Sequence, residues 1–410
     1  MAHSILSLWL LVAWLGFHAC NKEAPSQENG LMPVTLGAPS ILFNNSQFAF
    51  SLYREVMVRN PGRNVLFSPL SLSVPLTLLA VQAKPEARYQ ILQVLGFSTA
   101  EIPKTRELMR YGKLLNSTLP HPGECSVTMG SVLFMDRNRK PVLKFVAAAQ
   151  KLYHTRVFLV NLGNSQIARN QMNYAIRKQT GGKVRTLLQE PKDPSVLILA
   201  NYIFFKGKWE HRFDPRFTEM RPFSLSKELT IQVPMMQRAG WFQLQHFYHL
   251  HSHILQLPYS CNIMAVFILP DVGKVRECEE ALVEEDFNTW VRPIGLSRRR
   301  LYFPKFTLSG NVLLEQLKFL PESLYIFSHQ SGLSGISLEN WPIKITQAVH
   351  KVELTVEEDG VEDTASEFQF LPKQLLPTLH FNRPFLLLMV ERNSHNLLFM
   401  GKVMDPTAKS

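Results

Sequence analysis

The sequence predicts an α+β fold built as a single large domain. Helical patterns dominate the first half of the chain, strand patterns dominate the second half, and the two do not alternate as in a doubly wound parallel sheet. The 410 residues, of which 46% are hydrophobic, are enough to bury one large core. We find no internal repeat and no linker, so residues 46–406 are treated as one domain.

Two helices flank a short strand at the start of this domain. Apolar residues at helical spacing begin near Ser46 and continue until a turn sequence at 60–62 ends the helix. A buried strand over 64–68 then leads into a second helix that begins at Pro69, a residue favoured in the first turn.

The rest of the chain mixes helices and strands. Helices are predicted over 141–153, with Pro141 in the first turn, and over 164–180, where Gly181 and Gly182 end the helix. Strands are predicted where apolar residues alternate or run together: 126–135, 196–205, 264–269, 385–391 and 397–403. The run 196–205 is apolar at almost every position, which is typical of a central strand covered on both faces.

The start of the chain carries the pattern of a secretory signal. An apolar run over 5–17 is followed by small and polar residues, which predicts a signal peptide over 1–20 with cleavage between Cys20 and Ala24. Residues 21–45 read as an extended segment. No later run reaches membrane-spanning length without polar interruption, so no membrane association is expected.

Two glycosylation acceptors agree with export. Asn44 and Asn116 each begin an Asn-X-Ser/Thr sequence. We therefore expect a secreted, extracellular glycoprotein.

The cysteines and histidines do not form a recognisable metal or redox motif. Cys125, Cys261 and Cys278 remain after signal removal, and their odd number leaves at least one thiol outside any internal disulfide; their pairing stays open. His249, His251 and His253 alternate and would share one face of a strand, where imidazoles can bind zinc. With no thiol or carboxylate nearby in sequence, these are expected to be surface histidines, and no metal or cofactor is predicted.

Catalytic motifs are also missing from the sequence. It contains no Gly-x-Ser-x-Gly elbow, no phosphate-binding glycine loop and no His-Glu-x-x-His. We therefore expect a protein that is not an enzyme.

Five motifs, in order along the chain, resemble those of the serpin superfamily and most closely its secreted antitrypsin-like group. They are Asn-Val-Leu-Phe-Ser-Pro-Leu-Ser at 64–71, Asn-Tyr-Ile-Phe-Phe-Lys-Gly-Lys-Trp at 201–209, His-Lys at 350–351, Glu-Glu-Asp-Gly at 357–360, and the C-terminal pair 380–385 and 399–403. The resemblance covers about 48–406. It implies a serpin fold of three β-sheets, about nine helices and an exposed reactive loop, here Gly360 to Thr378.

The same resemblance assigns roles to several polar residues. Ser68, Ser71, Asn201 and His350 fall where serpins place a polar cluster that lets the main sheet part, and Trp209 falls near the point of loop entry. A hydrogen-bonded cluster can have two satisfied arrangements, which an apolar core lacks.

In serpins a protease cleaves the loop, the loop inserts into the main sheet, and the protease is trapped as an acyl-enzyme. The hinge that starts this insertion corresponds here to Glu358, Gly360, Val361, Asp363, Ala365 and Glu367. Alternate residues from Val361 turn towards the core, so Asp363 and Glu367 would each bury a carboxylate. This departs from the family pattern of small neutral residues and puts inhibitory power in doubt.

The cleaved bond is predicted within one residue. Spacing forward from Gly360 gives Gln374-Leu375, whereas spacing backward from Phe381 gives Lys373-Gln374. Lys373 would suit a trypsin-like serine protease, whose specificity pocket is acidic.

The chain carries a net charge of +11, and two basic regions could bind a heparin-like polysaccharide. One contains Arg298, Arg299, Arg300 and Lys305. The other is a helix with Lys104, Arg106, Arg110 and Lys113, whose last three members share one face. The alternative for both is an ordinary solvated surface. Nucleic acid is not an expected partner.

Together these observations predict a secreted, monomeric protein of the serine protease inhibitor type that acts, if competent, as a suicide substrate. The alternative is a non-inhibitory serpin that carries a hydrophobic ligand or serves as a binding protein.

Overall fold

Eight α-helices and fourteen β-strands are found in the described part of a computed structural model of the chain. It describes residues 45–97, 103–117, 119, 125–191, 196–317, 326–327, 332–333, 335–338, 343–361 and 376–408. Residues Phe43–Ser410 form one compact unit. The predicted signal peptide, the extended segment up to residue 44 and Asn44 itself lie outside the described residues.

The helices are α1 (Ser46–Arg59), α2 (Pro69–Gln82), α3 (Pro85–Val94), α4 (Thr105–Ser117), α5 (Leu143–Tyr153), α6 (Ser165–Gln179), α7 (Val275–Glu284) and α8 (Phe287–Val291). The strands are β1 (Val65–Phe67), β2 (Ser126–Asp136), β3 (Thr155–Val160), β4 (Val196–Lys206), β5 (Glu219–Ser224), β6 (Thr230–Phe247), β7 (Ser252–Pro258), β8 (Ile263–Pro270), β9 (Leu296–Pro304), β10 (Phe306–Leu313), β11 (Lys344–Val356), β12 (Thr378–His380), β13 (Phe385–Glu391) and β14 (Leu397–Val403). None of the described helices is long and apolar enough to cross a bilayer.

Local capping explains where two of the helices begin and end. The Ser68 hydroxyl accepts a hydrogen bond from the Ser71 amide at the start of α2, and Asn164 accepts one from the Ile167 amide at the start of α6. At the end of α6, Gly182 adopts a left-handed φ of 86° and its amide donates to an earlier helix carbonyl. These boundaries agree with the predictions from the sequence.

The smaller sheet has the strand order β10-β11-β4-β2-β3. Its strand β4 is covered on both faces, as the apolar run at 196–205 predicted. Ile198 and Ala200 pack in a cluster with residues of α6, whereas Asn201 on the opposite face bonds to Ser71 of α2. The sheet therefore lies between helices, with its face towards α2 in the core.

The larger sheet has nine strands in the order β1-β14-β13-β8-β7-β6-β9-β12, with β5 paired to β6. Strand β6 is 18 residues long; its first part pairs with β5 and β9 and its last part with β7. Because β6 takes part in both sets of pairings, two of the three sheets implied by the serpin resemblance are joined into one sheet here.

Two predictions from the sequence are corrected by the structure. Helix α5 begins at Leu143, because Pro141 forms a β-bridge with Ser337 and lies outside the helix. The three alternating histidines do not share a strand face: His249 lies in a short 3-10 turn, His251 has a left-handed φ of 46°, and only His253 lies in a strand.

The structure also settles the pairing of the cysteines. Cys125, just before β2, forms a disulfide with Cys261 in the turn between β7 and β8. The remaining thiol, Cys278 of α7, is buried, and burial raises its pKa to about 12, so it is protonated and poorly reactive at neutral pH.

Candidate functional site

Strands β4 and β11 are parallel neighbours at the centre of the smaller sheet. Their register runs from Lys344 opposite Val196 to Thr355 opposite Lys206, with one irregularity after Ile345. We call this ladder the central seam. A chain that left the end of β11 and folded back between the two strands would be antiparallel to both. It would replace one parallel ladder by two antiparallel ladders, which are slightly more stable per residue.

A buried polar cluster lies on the core face of the central seam. The Ser68 amide donates to Nε2 of His350 (3.0 Å), and Nδ1 of His350 lies 2.6 Å from the side-chain oxygen of Asn201. That oxygen also accepts from the Ser71 hydroxyl (2.8 Å), while the Asn201 amide nitrogen donates to the Ser131 hydroxyl (3.0 Å). All five residues are at most 2% exposed. We call them the seam cluster.

The partners of His350 fix its tautomer and charge. Nε2 accepts from the Ser68 amide, so the proton lies on Nδ1 and donates to Asn201. Burial, with a smaller contribution from the charge of Lys351, lowers the pKa of His350 to about 3. In a protonated imidazole Nε2 would also carry a hydrogen. This N–H would face the N–H of the Ser68 amide, and neither group could accept a hydrogen bond. The seam cluster therefore requires a neutral histidine.

Trp209 lies at one end of the central seam rather than in the seam cluster. Its backbone amide donates to the Asp359 carbonyl (3.0 Å), and its carbonyl accepts from the Val361 amide (2.9 Å). The indole nitrogen donates to the Glu357 carbonyl (2.7 Å), and the ring stacks on Tyr259 with centroids 4.0 Å apart. These contacts hold the chain segment that follows β11.

The Glu358 side chain is also held in place at this end. Lys305 donates to one carboxylate oxygen (2.7 Å) and the Thr218 hydroxyl to the other (2.8 Å). Burial alone would raise the pKa of Glu358, but the bonds from Lys305 and Thr218 together bring it below its ordinary value. A charged carboxylate that is 8% exposed is stable here because both oxygens are paired.

Gly360 is required at the end of this segment by close packing. A Cβ atom at this position would lie 2.7 Å from the Trp209 carbonyl oxygen and 2.9 Å from the Arg212 Cα. Backbone atoms cannot move aside as a flexible side chain can, so any other residue would displace the chain.

The structure brings together some of the predicted site residues and separates others. Ser68, Ser71, Asn201 and His350 meet, and Ser131 is a member that the sequence did not indicate, because only the pairing of β2 with β4 places it opposite Asn201. The remaining predicted hinge and cleavage positions lie outside the described residues: Asp363, Ala365, Glu367, Lys373, Gln374 and Leu375.

The predicted basic region around β9 is not one surface. Arg300 is only 2% exposed, whereas Arg298 and Arg299, earlier in strand β9, are partly exposed; from Arg300 to Pro304 every residue of the strand is buried. Lys305 forms a salt bridge with Glu358. On α4, by contrast, Arg106, Arg110 and Lys113 are all exposed.

Comparisons with known proteins agree with this architecture. The family model described as "Serpin (serine protease inhibitor)" matches residues 43–406. Alpha-1-antiproteinase 2 of Equus caballus is 37% identical over 369 residues, which cover 89% of this chain and 87% of the relative. Alpha-1-antitrypsin 1-5 of Mus musculus is 36% identical over 378 residues, 90% of each chain.

Solved structures give the same result. Human thyroxine-binding globulin superposes with a TM-score of 0.79 at 32% identity, over 90% of this chain and 98% of that one. Mouse protein-Z dependent protease inhibitor superposes with a TM-score of 0.79 at 31% identity, over 89% and 97%. The match over most of the chain is decisive for the family: this chain belongs to the serpins and is of the serine protease inhibitor type.

Proposed function

We propose that this serpin presents residues 362–375 to a serine protease and that cleavage there ends in release of the protease more often than in trapping. The observation that carries the proposal is the central seam, a parallel ladder directly beside the point where this segment begins. Residues 362–375 join Val361, held by Trp209, to Leu376, just before β12.

The core face of the central seam makes insertion of charged residues unfavourable. The side chains on this face from β4 and β11 include Leu199, Ile203, Val352 and Leu354, all at most 1% exposed. If alternate residues from Val361 enter this face, each carboxylate loses water and meets mainly apolar neighbours, with only the neutral seam cluster to offer hydrogen bonds. The cost is about several kcal/mol per carboxylate unless it becomes protonated. Insertion is then slowed, and the acyl-enzyme has time to hydrolyse.

Matched variants test the proposal. Purified protein is incubated with trypsin and with chymotrypsin, and the products are separated on denaturing gels and by mass spectrometry. We expect cleavage at Lys373-Gln374 or Gln374-Leu375 with little stable complex. Asp363→Ala with Glu367→Ala should raise the fraction of stable complex, whereas Glu362→Ala, which removes a carboxylate from the other face, should not.

The two parts of the proposal can fail separately. Near-stoichiometric complex with the unmodified protein would contradict the hinge argument while supporting an inhibitor. No cleavage between 362 and 375 by either protease would contradict the role of this segment as a protease substrate.

The non-inhibitory alternative receives no support from the described cavity near Trp209. A cleft of about 180 Å³ is lined by apolar side chains that include Trp241, Leu257 and Leu296, and by the charged residues Glu210 and Arg392. Sites for small molecules usually measure about 300–1,000 Å³. The likeness to thyroxine-binding globulin, solved in complex with thyroxine, fits this alternative, but the cleft is too small to favour a comparable ligand here.

A heparin-like polysaccharide is a further proposed partner, with α4 as its site. The exposed face of Arg106, Arg110 and Lys113 supports α4, whereas the buried Arg300 argues against β9. On a heparin column, alanine at the three α4 positions should lower the NaCl concentration of elution, and Arg298→Ala with Arg299→Ala should change it much less. The reverse order would favour β9.

Export as a monomeric glycoprotein is proposed as well. The apolar run at 5–17, the acceptors Asn44 and Asn116, and the disulfide between Cys125 and Cys261 support it, because disulfides persist in oxidising compartments. Expression in mammalian cells should place the protein in the medium, without residues 1–20, with a mass that falls after glycan removal. Retention inside the cell with an intact N-terminus would contradict it.

A further inference from the structure

Two histidines and an aspartate converge on the larger sheet, away from the central seam. His246 of β6 and His253 of β7 are direct cross-strand partners. Asp271 follows the last residue of β8, the strand that pairs with β7 on its other side. The two histidines therefore lie on adjacent, hydrogen-bonded strands, and Asp271 directly follows the strand next to them.

Their donor atoms lie close together. His246 Nε2 is 3.1 Å from each carboxylate oxygen of Asp271, and His253 Nδ1 is 3.9 Å from one of them. One ligand atom from each residue can be chosen so that all three lie within 4.8 Å of one another. Zinc held at about 2.0–2.2 Å by tetrahedral nitrogen and oxygen ligands needs separations of roughly 3.3–3.6 Å between the ligand atoms. Small side-chain rotations are enough to reach them.

His253 provides a second, independent observation at this site. Its Nδ1 atom is buried and has no hydrogen-bond partner in the part of the chain that the structure describes. A buried nitrogen without a partner is unfavourable by about 1–3 kcal/mol. A metal ion at the centre of the three residues would give this atom a ligand bond.

We propose that His246, His253 and Asp271 bind a zinc ion, with the fourth position open to water. Two imidazoles and one carboxylate are ligands that zinc accepts, and three protein ligands leave one position for solvent. The side chains are 21%, 33% and 35% exposed, so an ion can enter from solvent.

The surrounding charges limit the affinity. Burial is the main cause that lowers the pKa of His253, and the charges of His246, Arg383 and Arg299 lower it further; the Arg383 guanidinium also donates to the Pro270 carbonyl beside Asp271. Arg299 and Arg383 oppose a further positive charge at this site. Asp271 offsets part of the charge.

The sequence pattern concealed this site. Among His249, His251 and His253, only the last contributes; His249 and His251 are exposed and outside the strands. His249 and His251 therefore serve as control positions, close in sequence to His253 but outside the proposed site.

The test is zinc binding by the full-length protein. Metal-free protein is titrated with ZnCl₂ by calorimetry in a buffer that does not bind metal, and cobalt(II) is added separately to look for the visible bands of a tetrahedral site. We expect one zinc per chain. His246→Ala, His253→Ala and Asp271→Asn should each weaken binding by at least about tenfold, while His249→Ala and His251→Asn should not.

Thermal unfolding in EDTA identifies variants that no longer fold, and His246→Gln, at a position that is only partly exposed, replaces any that fail. Zinc should raise the unfolding temperature of the unmodified protein and of the two control variants only. Absence of zinc binding by the unmodified protein would overturn the proposal. So would binding that survives all three ligand substitutions or is lost in the control variants.

Discussion

Acidification should destabilise this protein through one buried residue, His350. The imidazole is neutral in the native seam cluster because burial lowers its pKa to about 3. In the unfolded chain a histidine has a pKa of about 6.5. Between these values the unfolded state binds a proton that the native state does not, so stability is complete above pH 6.5 and is lost as the pH falls.

The size of the loss follows from the two pKa values. Each pH unit below 6.5 removes about 1.4 kcal/mol of unfolding free energy until the native residue itself titrates. At pH 5.0 the loss is about 2 kcal/mol, a large part of the 5–15 kcal/mol that is typical of a folded domain.

The assay compares the unmodified protein with His350→Gln by urea denaturation from pH 7.5 to pH 5.0. The variant should be less stable at pH 7.5, because the seam cluster loses part of its hydrogen bonding, but the difference should shrink by about 2 kcal/mol at pH 5.0. Other histidines titrate in both proteins and cancel. Parallel pH profiles for the two proteins would refute the reasoning.

Three other predictions concern residues around the central seam. Replacing Cys125 and Cys261 by serine should lower the free energy of unfolding in urea by up to about 5 kcal/mol, because the bond closes a loop of 136 residues; an unchanged midpoint would contradict this. Lys305→Met should lower the free energy of unfolding by about 1–3 kcal/mol, because Glu358 loses its charged partner. The pKa of Glu358 should rise, so the variant, unlike the parent, should become relatively more stable as the pH falls through the range in which that carboxylate titrates. Gly360→Val should displace the segment after β11 and increase its cleavage by a nonspecific protease, whereas equal cleavage rates would show that the close contact is not a constraint.

The regular elements could be predicted from local patterns. Strand β4 is apolar at nearly every position and is covered on both faces, and α6 is bounded by Asn164 and by two glycines, each with a clear physical reason. The sequence predicts Pro141 in the first turn of a helix, because proline suits that position, but its β-bridge to Ser337 keeps it outside α5.

The site depended on the family resemblance and on strand pairing. Ser68 and His350 are 282 residues apart, and no local pattern marks either as a partner of the other. Lys305 looked like part of a charged surface because its partner, Glu358, is reached only through the fold. The basic run at 298–300 predicts surface charge, but Arg300 lies where β9 pairs with β12 and is buried, which no local pattern indicates.

The disulfide has a mechanical consequence for the smaller sheet. Cys125 lies just before β2, which is on the far side of β4 from β11, and Cys261 lies in the turn between β7 and β8, close in sequence to Tyr259, on which Trp209 stacks. When β4 separates from β11, the disulfide holds the start of β2 beside the turn between β7 and β8. Strand β2 can then rotate about this point, but it cannot slide along the larger sheet. The same chain folded in a reducing compartment would lack this disulfide, and β2 would be free to slide.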